Sequence, residues 1–260
     1  MKVTVIIPAA GESTRFGARD KLAEDLGGRP LLLRTVEFFT KREDVHEILV
    51  AGPCNSFEVF KERFGPALSF HGVSIVKGGS TRSQSVKNTL DIVSEDTTLV
   101  VVHDAARPAI TSWLFDKLLL ASKEFSAVAA ALPISGTVKR VEESSATVAD
   151  EDAIADSILG SDCQATVHAF QITETVNRSG LWEMQTPQCF ELSLLKRAFA
   201  QEDIDSCTDD AQVVEKLGER VYVVEGDSRN IKVTTPEDFK LVKAILGVKG
   251  AQERPAHKRF

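Results

Sequence analysis

Cysteine is scarce and scattered in this chain. The four residues, Cys54, Cys163, Cys189 and Cys207, lie far apart and form no C-x-x-C. Such spacing supports neither a metal clip nor a disulfide framework, and it makes a reducing cytoplasm the expected compartment. Positive charge is also in deficit: 31 Lys and Arg stand against 38 Asp and Glu, a net charge of −7. A broad nucleic-acid surface is therefore not expected, although a local cluster of cations can still dominate one cleft. No apolar run is long enough to span a bilayer, and the first residues lack a signal-peptide cleavage pattern, so no membrane partner is expected. Internal repeats at solenoid periods are missing. So is any Ser/His/Asp or Cys/His spacing that would support nucleophilic catalysis. What remains is ordinary for a globular protein, with 43% hydrophobic and 27% charged residues in 260. That length suits one domain with an excursion, or two small ones.

The most informative stretch runs from Pro8 to Lys21. It follows Val3-Thr4-Val5-Ile6-Ile7, which reads as a buried strand. Gly11 and Gly17 can take positive φ and let backbone approach a ligand. Ala9 and Ala10 leave room, and freed N–H groups can face an anion. Arg15 and Lys21 add two cations beside the turn, so the loop suits a polyphosphate. Two familiar phosphate loops do not match. A Walker loop needs Lys-Ser/Thr after its second Gly, where this chain has Ala18-Arg19. The dinucleotide fingerprint needs Gly at position 13, which is Ser. A strand, then Ala-Ala-Gly, then Arg and Lys at this distance is similar instead to the signature of nucleotidyltransferases that load a sugar or polyol phosphate onto a nucleotide. The simpler alternative is a Gly-rich strand-to-helix turn with surface cations.

Strands and helices then alternate. A helix is expected from Pro30 to Phe39, a strand at Glu47–Ala51, a helix from Glu58 to Phe64 and a strand at Val73–Val76. Next come Gly78-Gly79 and a helix capped by Ser80 or Thr81. A capped helix explains this segment; a sharper reading has Gly79 offering backbone to a nucleobase with Ser85 nearby. Leu99–His103 lacks alternation and reads as a strand buried on both faces. It ends in Asp104-Ala105-Ala106-Arg107-Pro108, where ligands of open parallel sheets bind. An Asp there can hold Mg²⁺ with water and phosphate oxygens, and Arg107 can grip a phosphate. A plain Asp104–Arg107 salt bridge is the simpler alternative. A helix from Thr111 to Lys123 and a strand at Ala127–Leu132 complete this half.

At Pro133 the character changes. Ile134–Val141 and Ala165–Phe170 alternate around an acidic, polar stretch read as a solvated loop, and together they look like a β-arm leaving the main sheet. Such an arm cannot bury both faces alone, so a partner subunit is expected. The chain returns through Trp182 and Phe190, both read as core. Helices are expected at Leu192–Ala200, after Thr208 as a possible N-cap, and after the strong start Thr235-Pro236-Glu237-Asp238. Val221–Val224 reads as a strand and Asn230–Val233 as short and extended. The fold class is thus α/β: a Rossmann-like, mostly parallel sheet with helices on both faces and a protruding β-arm. The expected organisation is a core of residues 1–133 and 181–247, an arm of 134–180 and a disordered tail of 248–260.

Separated motifs now agree. The Ala9 loop, His103-Asp104-Ala105-Ala106-Arg107-Pro108, Thr186-Pro187-Gln188, Thr208-Asp209 and Asn230-Ile231-Lys232-Val233-Thr234 together resemble the 2-C-methyl-D-erythritol 4-phosphate cytidylyltransferase family of the non-mevalonate isoprenoid pathway. The resemblance covers nearly the whole chain apart from the acidic insertion and the tail. It implies that Arg15, Lys21 and Lys232 meet the phosphates of CTP, and that Ala9, Ala10, Gly11, Gly79 and Ser85 hold the nucleotide. Asp104 would bind Mg²⁺ or another divalent cation. Arg107, Thr186, Thr208 and Lys232 would take the methylerythritol phosphate, with Thr137 and Arg178 of an arm that reaches into the neighbouring subunit of a homodimer. The chain departs from the family pattern at Ser13 for Gly, Asp20 for Pro before the Lys, and Ser80 for an acidic residue, and its arm is longer by about twenty residues, a loop length that surfaces tolerate.

The implied reaction needs no covalent enzyme intermediate. An acceptor phosphate oxygen attacks the α-phosphorus of CTP and pyrophosphate leaves. Three other readings stay open on sequence: a cytidylyltransferase for another polyol phosphate such as ribitol 5-phosphate, a sugar-1-phosphate nucleotidyltransferase, and a non-catalytic nucleotide-binding regulator on the same fold.

Overall fold

The computed structural model describes residues 1–11, 16, 20–147 and 166–248. It divides into two compact units, Met1–Leu132 with the chain from Met184 onward, and Pro133–Glu183.

The larger unit is built on a seven-stranded sheet. Its strands are β1 (Val3–Pro8), β2 (Val45–Gly52), β3 (Ser74–Lys77), β4 (Leu99–Val102), β5 (Ala127–Pro133), β8 (Trp182–Glu191) and β9 (Tyr222–Glu225), in the order β3-β2-β1-β4-β8-β5-β9. β1 lies parallel to both β2 and β4, β2 to β3, and β5 to β9, whereas β8 runs antiparallel to β4. The fold is therefore mixed α/β with a mostly parallel central sheet.

Alternation in the central strands sends side chains to two separate cores. Val3, Val5, Ile7 and Val101 join one core with Leu32, Val36 and Phe39 of α1 (Leu31–Thr40) and Phe60 and Phe64 of α2 (Phe57–Phe70). Phe115 and Leu118 of α4 (Ser112–Ala121) and Phe239 and Val242 of α7 (Pro236–Ile245) complete that layer. Ile6, Val100 and Val102 face the other core. They meet Val86 and Leu90 of α3 (Arg82–Leu90), Leu195 and Phe199 of α5 (Leu192–Phe199), and Val213 and Val214 of α6 (Asp210–Lys216). Truncating a fully buried ring such as Phe39 to Ala would cost about 3–5 kcal/mol.

Local signals explain most element starts. Thr81, Thr111 and Thr235 cap α3, α4 and α7 through their hydroxyls, and Thr235 with Asp238 forms a full capping box with Pro236 in the first turn. Expectations in the larger unit need correction at four points. α2 continues six residues past Phe64 because Pro66 is accommodated inside the helix. α6 is capped by Asp209, not Thr208, whose hydroxyl and N–H both donate to Gln212 Oε1. Trp182 is exposed rather than core, while Phe190 is fully buried. Gly11 does not take positive φ, and a Cβ there would meet no protein atom, so its smallness leaves open space.

The smaller unit carries an antiparallel ribbon of β6 (Val138–Thr147) and β7 (Thr166–Val176), with a register shift at Arg140/Val141. Glu142 and Glu143, expected in a loop, are part of β6. The rest of the acidic stretch, from 148 to 165, and the tail from 249 lie outside the described residues. Val141 pairs with Ile172 and Glu143 with Phe170, so Val141, Phe170 and Ile172 share one face, and all three are exposed. Among the described residues no helix is long and apolar enough to cross a membrane.

Candidate active site

The strand order 3-2-1-4 puts a topological switch between β1 and β4, and a cavity of about 410 Å³ opens there at the carboxyl ends of the strands. Four strand ends line it: Pro8–Gly11 after β1, Pro53–Ser56 after β2, Gly79–Arg82 after β3 and Asp104–Ala106 after β4, with Lys21 and Lys232 beside them. A second cavity of about 210 Å³ adjoins it. Its walls include Arg107, Thr186, Gln188, Thr208 and Asp209. Three residues line both cavities: Arg82, Asp104 and Lys232.

The first cavity's walls are set by close backbone packing. Ala9 N–H donates to Ala51 O at 2.8 Å, holding the first loop against β2. At the β3–α3 turn a Cβ on Gly78 would sit 2.5 Å from Gly52 O, and one on Gly79 2.3 Å from Gln84 Cβ. Only glycine fits at either position. Ser85 is fully buried beneath this turn; its Oγ accepts from Gly79 N–H at 3.0 Å and donates to Thr81 O at 2.8 Å. Ser85 thus sets the loop's shape and does not line the cavity. Lys21 belongs to a single turn of 3-10 helix, Lys21–Ala23, capped by Asp20. Asp20 accepts from Leu22 N–H at 3.0 Å and from Arg63 at 3.1 Å, so this departure from the family pattern shapes the turn that carries Lys21. Lys21 Nζ donates to Val233 O at 3.2 Å.

Asp104 is the electrostatic centre. Its carboxylate lies 3.0 Å from Lys232 Nζ, 3.1 Å from Arg107 Nε and 3.7 Å from Arg82 Nε. Burial alone would push this carboxyl up; Lys232, Arg82 and Arg107 outweigh it and hold it well below the usual carboxylate range. Arg107 also donates to Asn230 O at 2.8 Å, and Asn230 Nδ2 to Thr186 O at 2.7 Å, tying the three motifs together.

Arg82 is the principal site residue that sequence reading missed. Its fork makes two bonds to the fully buried Asp210, at 2.8 and 2.7 Å. Burial pushes Asp210 up, against the pull of Arg82. Gln188 extends this network, donating to Asp209 Oδ2 at 2.8 Å and accepting from Ala211 N–H at 3.0 Å. A signal was present: Arg82 opens a helix, where the dipole disfavours a cation unless an acid faces it.

The structure thus brings together Ala9, Ala10, Gly11, Lys21, Gly79, Asp104 and Lys232 around one cavity, and Arg107, Thr186 and Thr208 around the other. Arg15 lies outside the described residues. Thr137 and Arg178 sit in the smaller unit, just before β6 and just after β7, at the same end of the ribbon.

Comparison with known proteins gives the family. The sequence model of the family "IspD: 2-C-methyl-D-erythritol 4-phosphate cytidylyltransferase" matches residues 3–156 and 146–248. A 2-C-methyl-D-erythritol 4-phosphate cytidylyltransferase of Bacillus pumilus is 36% identical over 254 residues, covering 95% of this chain and 97% of that protein. The crystal structure of the Thermus thermophilus enzyme of that name superposes with a TM-score of 0.69 at 30% identity, over 95% of this chain and 100% of that one. A crystal structure of 4-diphosphocytidyl-2C-methyl-D-erythritol synthase gives 0.72 at 29% identity, over 94% and 99%. The chain belongs to the 2-C-methyl-D-erythritol 4-phosphate cytidylyltransferase family, nucleotidyltransferases of isoprenoid biosynthesis that convert CTP and methylerythritol phosphate to 4-diphosphocytidyl-methylerythritol.

Proposed function

We propose that the two cavities divide the substrates of this reaction, with CTP in the larger, methylerythritol phosphate in the smaller, and bond exchange at their junction. The observation that carries this reading is that the two cavities share Arg82, Asp104 and Lys232, two cations and one ionised carboxylate. Backbone at Ala9, Ala10, Gly11 and Gly79 would hold the nucleotide, with Ser85 fixing the Gly79 turn. Arg15, Lys21 and Lys232 would lie along the triphosphate, and Arg107, Thr186 and Thr208 on the acceptor.

The chemistry follows from charge. An acceptor phosphate is already anionic at neutral pH, so its oxygen attacks the α-phosphorus without a general base. A new P–O bond forms, the bond from the α-phosphorus to the bridging oxygen breaks, and pyrophosphate leaves with that electron pair. The nearest candidate base, His103, is fully buried with both ring nitrogens hydrogen-bonded, and is not needed. The protein's part is to bring two anions together and to neutralise charge as it builds in the transition state. Lys21 and Lys232 do this from fixed positions.

A divalent cation fits the donor set at the junction. Among the described residues no cluster of three or more His, Cys, Asp or Glu could cage an ion alone. Asp104, ionised and facing both cavities, would supply the one carboxylate of a Mg²⁺ site otherwise made of substrate oxygens and water. Such an ion, held by Asp104 with the triphosphate, would supply further charge neutralisation at the transferring phosphorus.

The arm reads as the dimer element. Val141, Phe170 and Ile172 form an exposed apolar patch beside Glu143 on one ribbon face, and a two-stranded ribbon is marginal by itself. With a second copy covering that patch, Thr137 and Arg178 would serve the acceptor site of the neighbouring subunit, as the family resemblance implies.

Lys21→Ala tests the assignment of the cations. Its kcat should fall roughly 10²–10³-fold, the scale of a single electrostatic stabiliser. A near-normal kcat would remove Lys21 from the phosphate site.

A further inference from the structure

His103 has no exposed surface and directly precedes Asp104, and its ring makes two hydrogen bonds whose direction is forced. Nε2 lies 3.0 Å from Arg107 O, and a carbonyl only accepts, so Nε2 carries the proton. In a neutral imidazole Nδ1 is then an acceptor. Thr186 Oγ1 lies 3.2 Å away and donates its one proton there. That leaves the Thr186 oxygen to accept Asp104 N–H at 3.0 Å. The ring is fully buried and its two nitrogens face a carbonyl and a hydroxyl with no carboxylate bonded to either, so the neutral imidazole fits this position. Phe39 closes one side, with ring centroids 5.3 Å apart.

The result is a clamp on the turn that carries the site. Asp104 to Arg107 forms one turn, closed by Arg107 N–H to Asp104 O at 3.1 Å. His103 holds its start through Thr186 and its end through the Arg107 carbonyl. We propose that His103 is a positioning residue with two separable arms: Nδ1, through Thr186, fixes Asp104 for its cation, and Nε2 fixes Arg107 for the acceptor phosphate. This rests on the roles given above to Asp104 and Arg107.

A residue that merely fills space would be replaceable by any side chain of similar size. The clamp makes the two amides behave differently. Asn at 103 returns an acceptor near the Nδ1 position, and Gln returns an N–H near the Nε2 position.

The test measures Mn²⁺ affinity in the presence of CTP, from the spin-resonance signal of free Mn²⁺, together with the acceptor KM. His103→Gln should weaken Mn²⁺ binding by about 10-fold, the low end for losing a support of a metal ligand, with acceptor KM near wild type. His103→Asn should keep Mn²⁺ affinity and raise the acceptor KM. Thr186→Val breaks the first arm with the histidine intact and should reproduce the Mn²⁺ loss, which carries the test if the His103 variants do not fold. Leu118→Ala, in the core away from the site, should lose stability and leave Mn²⁺ affinity unchanged. Equal effects of Asn and Gln, or wild-type Mn²⁺ affinity in Thr186→Val, would overturn the clamp. Asp104→Asn separates the two levels: if it too keeps Mn²⁺ affinity, the assignment of Asp104 is what fails.

Discussion

The Arg82 guanidinium holds the buried Asp210 carboxylate by two bonds of 2.8 and 2.7 Å while its Nε stands 3.7 Å from Asp104. One side chain therefore links the turn after β3, the carboxylate at the cavity junction and the start of α6. Removing one member of such a pair leaves a buried charge unpaired, which costs about 3–5 kcal/mol. Arg82→Ala and Asp210→Ala should each lose that much stability by urea denaturation. Arg82→Met with Asp210→Leu should recover much of the stability without recovering activity. Full activity in the apolar pair would confine Arg82 to a structural role.

Acid should weaken the fold through one buried histidine. The His103 pKa falls from 6.5 to about 4 through burial, so the folded state resists protonation that the unfolded chain accepts. Its contribution is complete above pH 6.5 and shrinks as pH falls toward 4. Between pH 7 and 5 this one group should remove about 2 kcal/mol. His103→Gln should flatten that part of the stability curve, measured by denaturant midpoint at each pH. An unchanged slope would mean that another group titrates there.

A shared site can be tested by mixing. Arg178→Ala and Lys232→Ala should each be nearly inactive, one lacking the arm's contribution and the other the core's. Co-refolded heterodimers contain one intact site, so part of the activity should return. No recovery, with subunit exchange proven by differential labelling, would count against arms that cross between subunits.

The sequence made some levels of this structure legible and concealed others. The central strands were readable because buried parallel strands need uninterrupted apolar runs, as in Leu99–Val102. The threonine caps were readable because their chemistry is local. β8 was not: Gln185-Thr186-Pro187-Gln188 carries polar side chains and a proline into the sheet, because this strand lines a cavity. Its role as a site wall removed its strand signature. Arg82 stood at a helix start as a local signal, but its partner Asp210 lies 128 residues away, a pairing no local pattern records. Ser85 was legible as a residue of importance but not as a hidden support of the Gly79 turn. Asp104 and Arg107 stood out because they follow a strand buried on both faces, whereas Thr186 and Lys232 entered only through the family resemblance.

The most direct test of the account is pyrophosphate release by the purified protein with Mg²⁺, each of the four nucleoside triphosphates, and either methylerythritol phosphate or ribitol 5-phosphate. The account predicts release with CTP and methylerythritol phosphate alone, and its loss in Asp104→Asn. Release with ribitol 5-phosphate and not methylerythritol phosphate, or silence from every pair while CTP still binds, would contradict it.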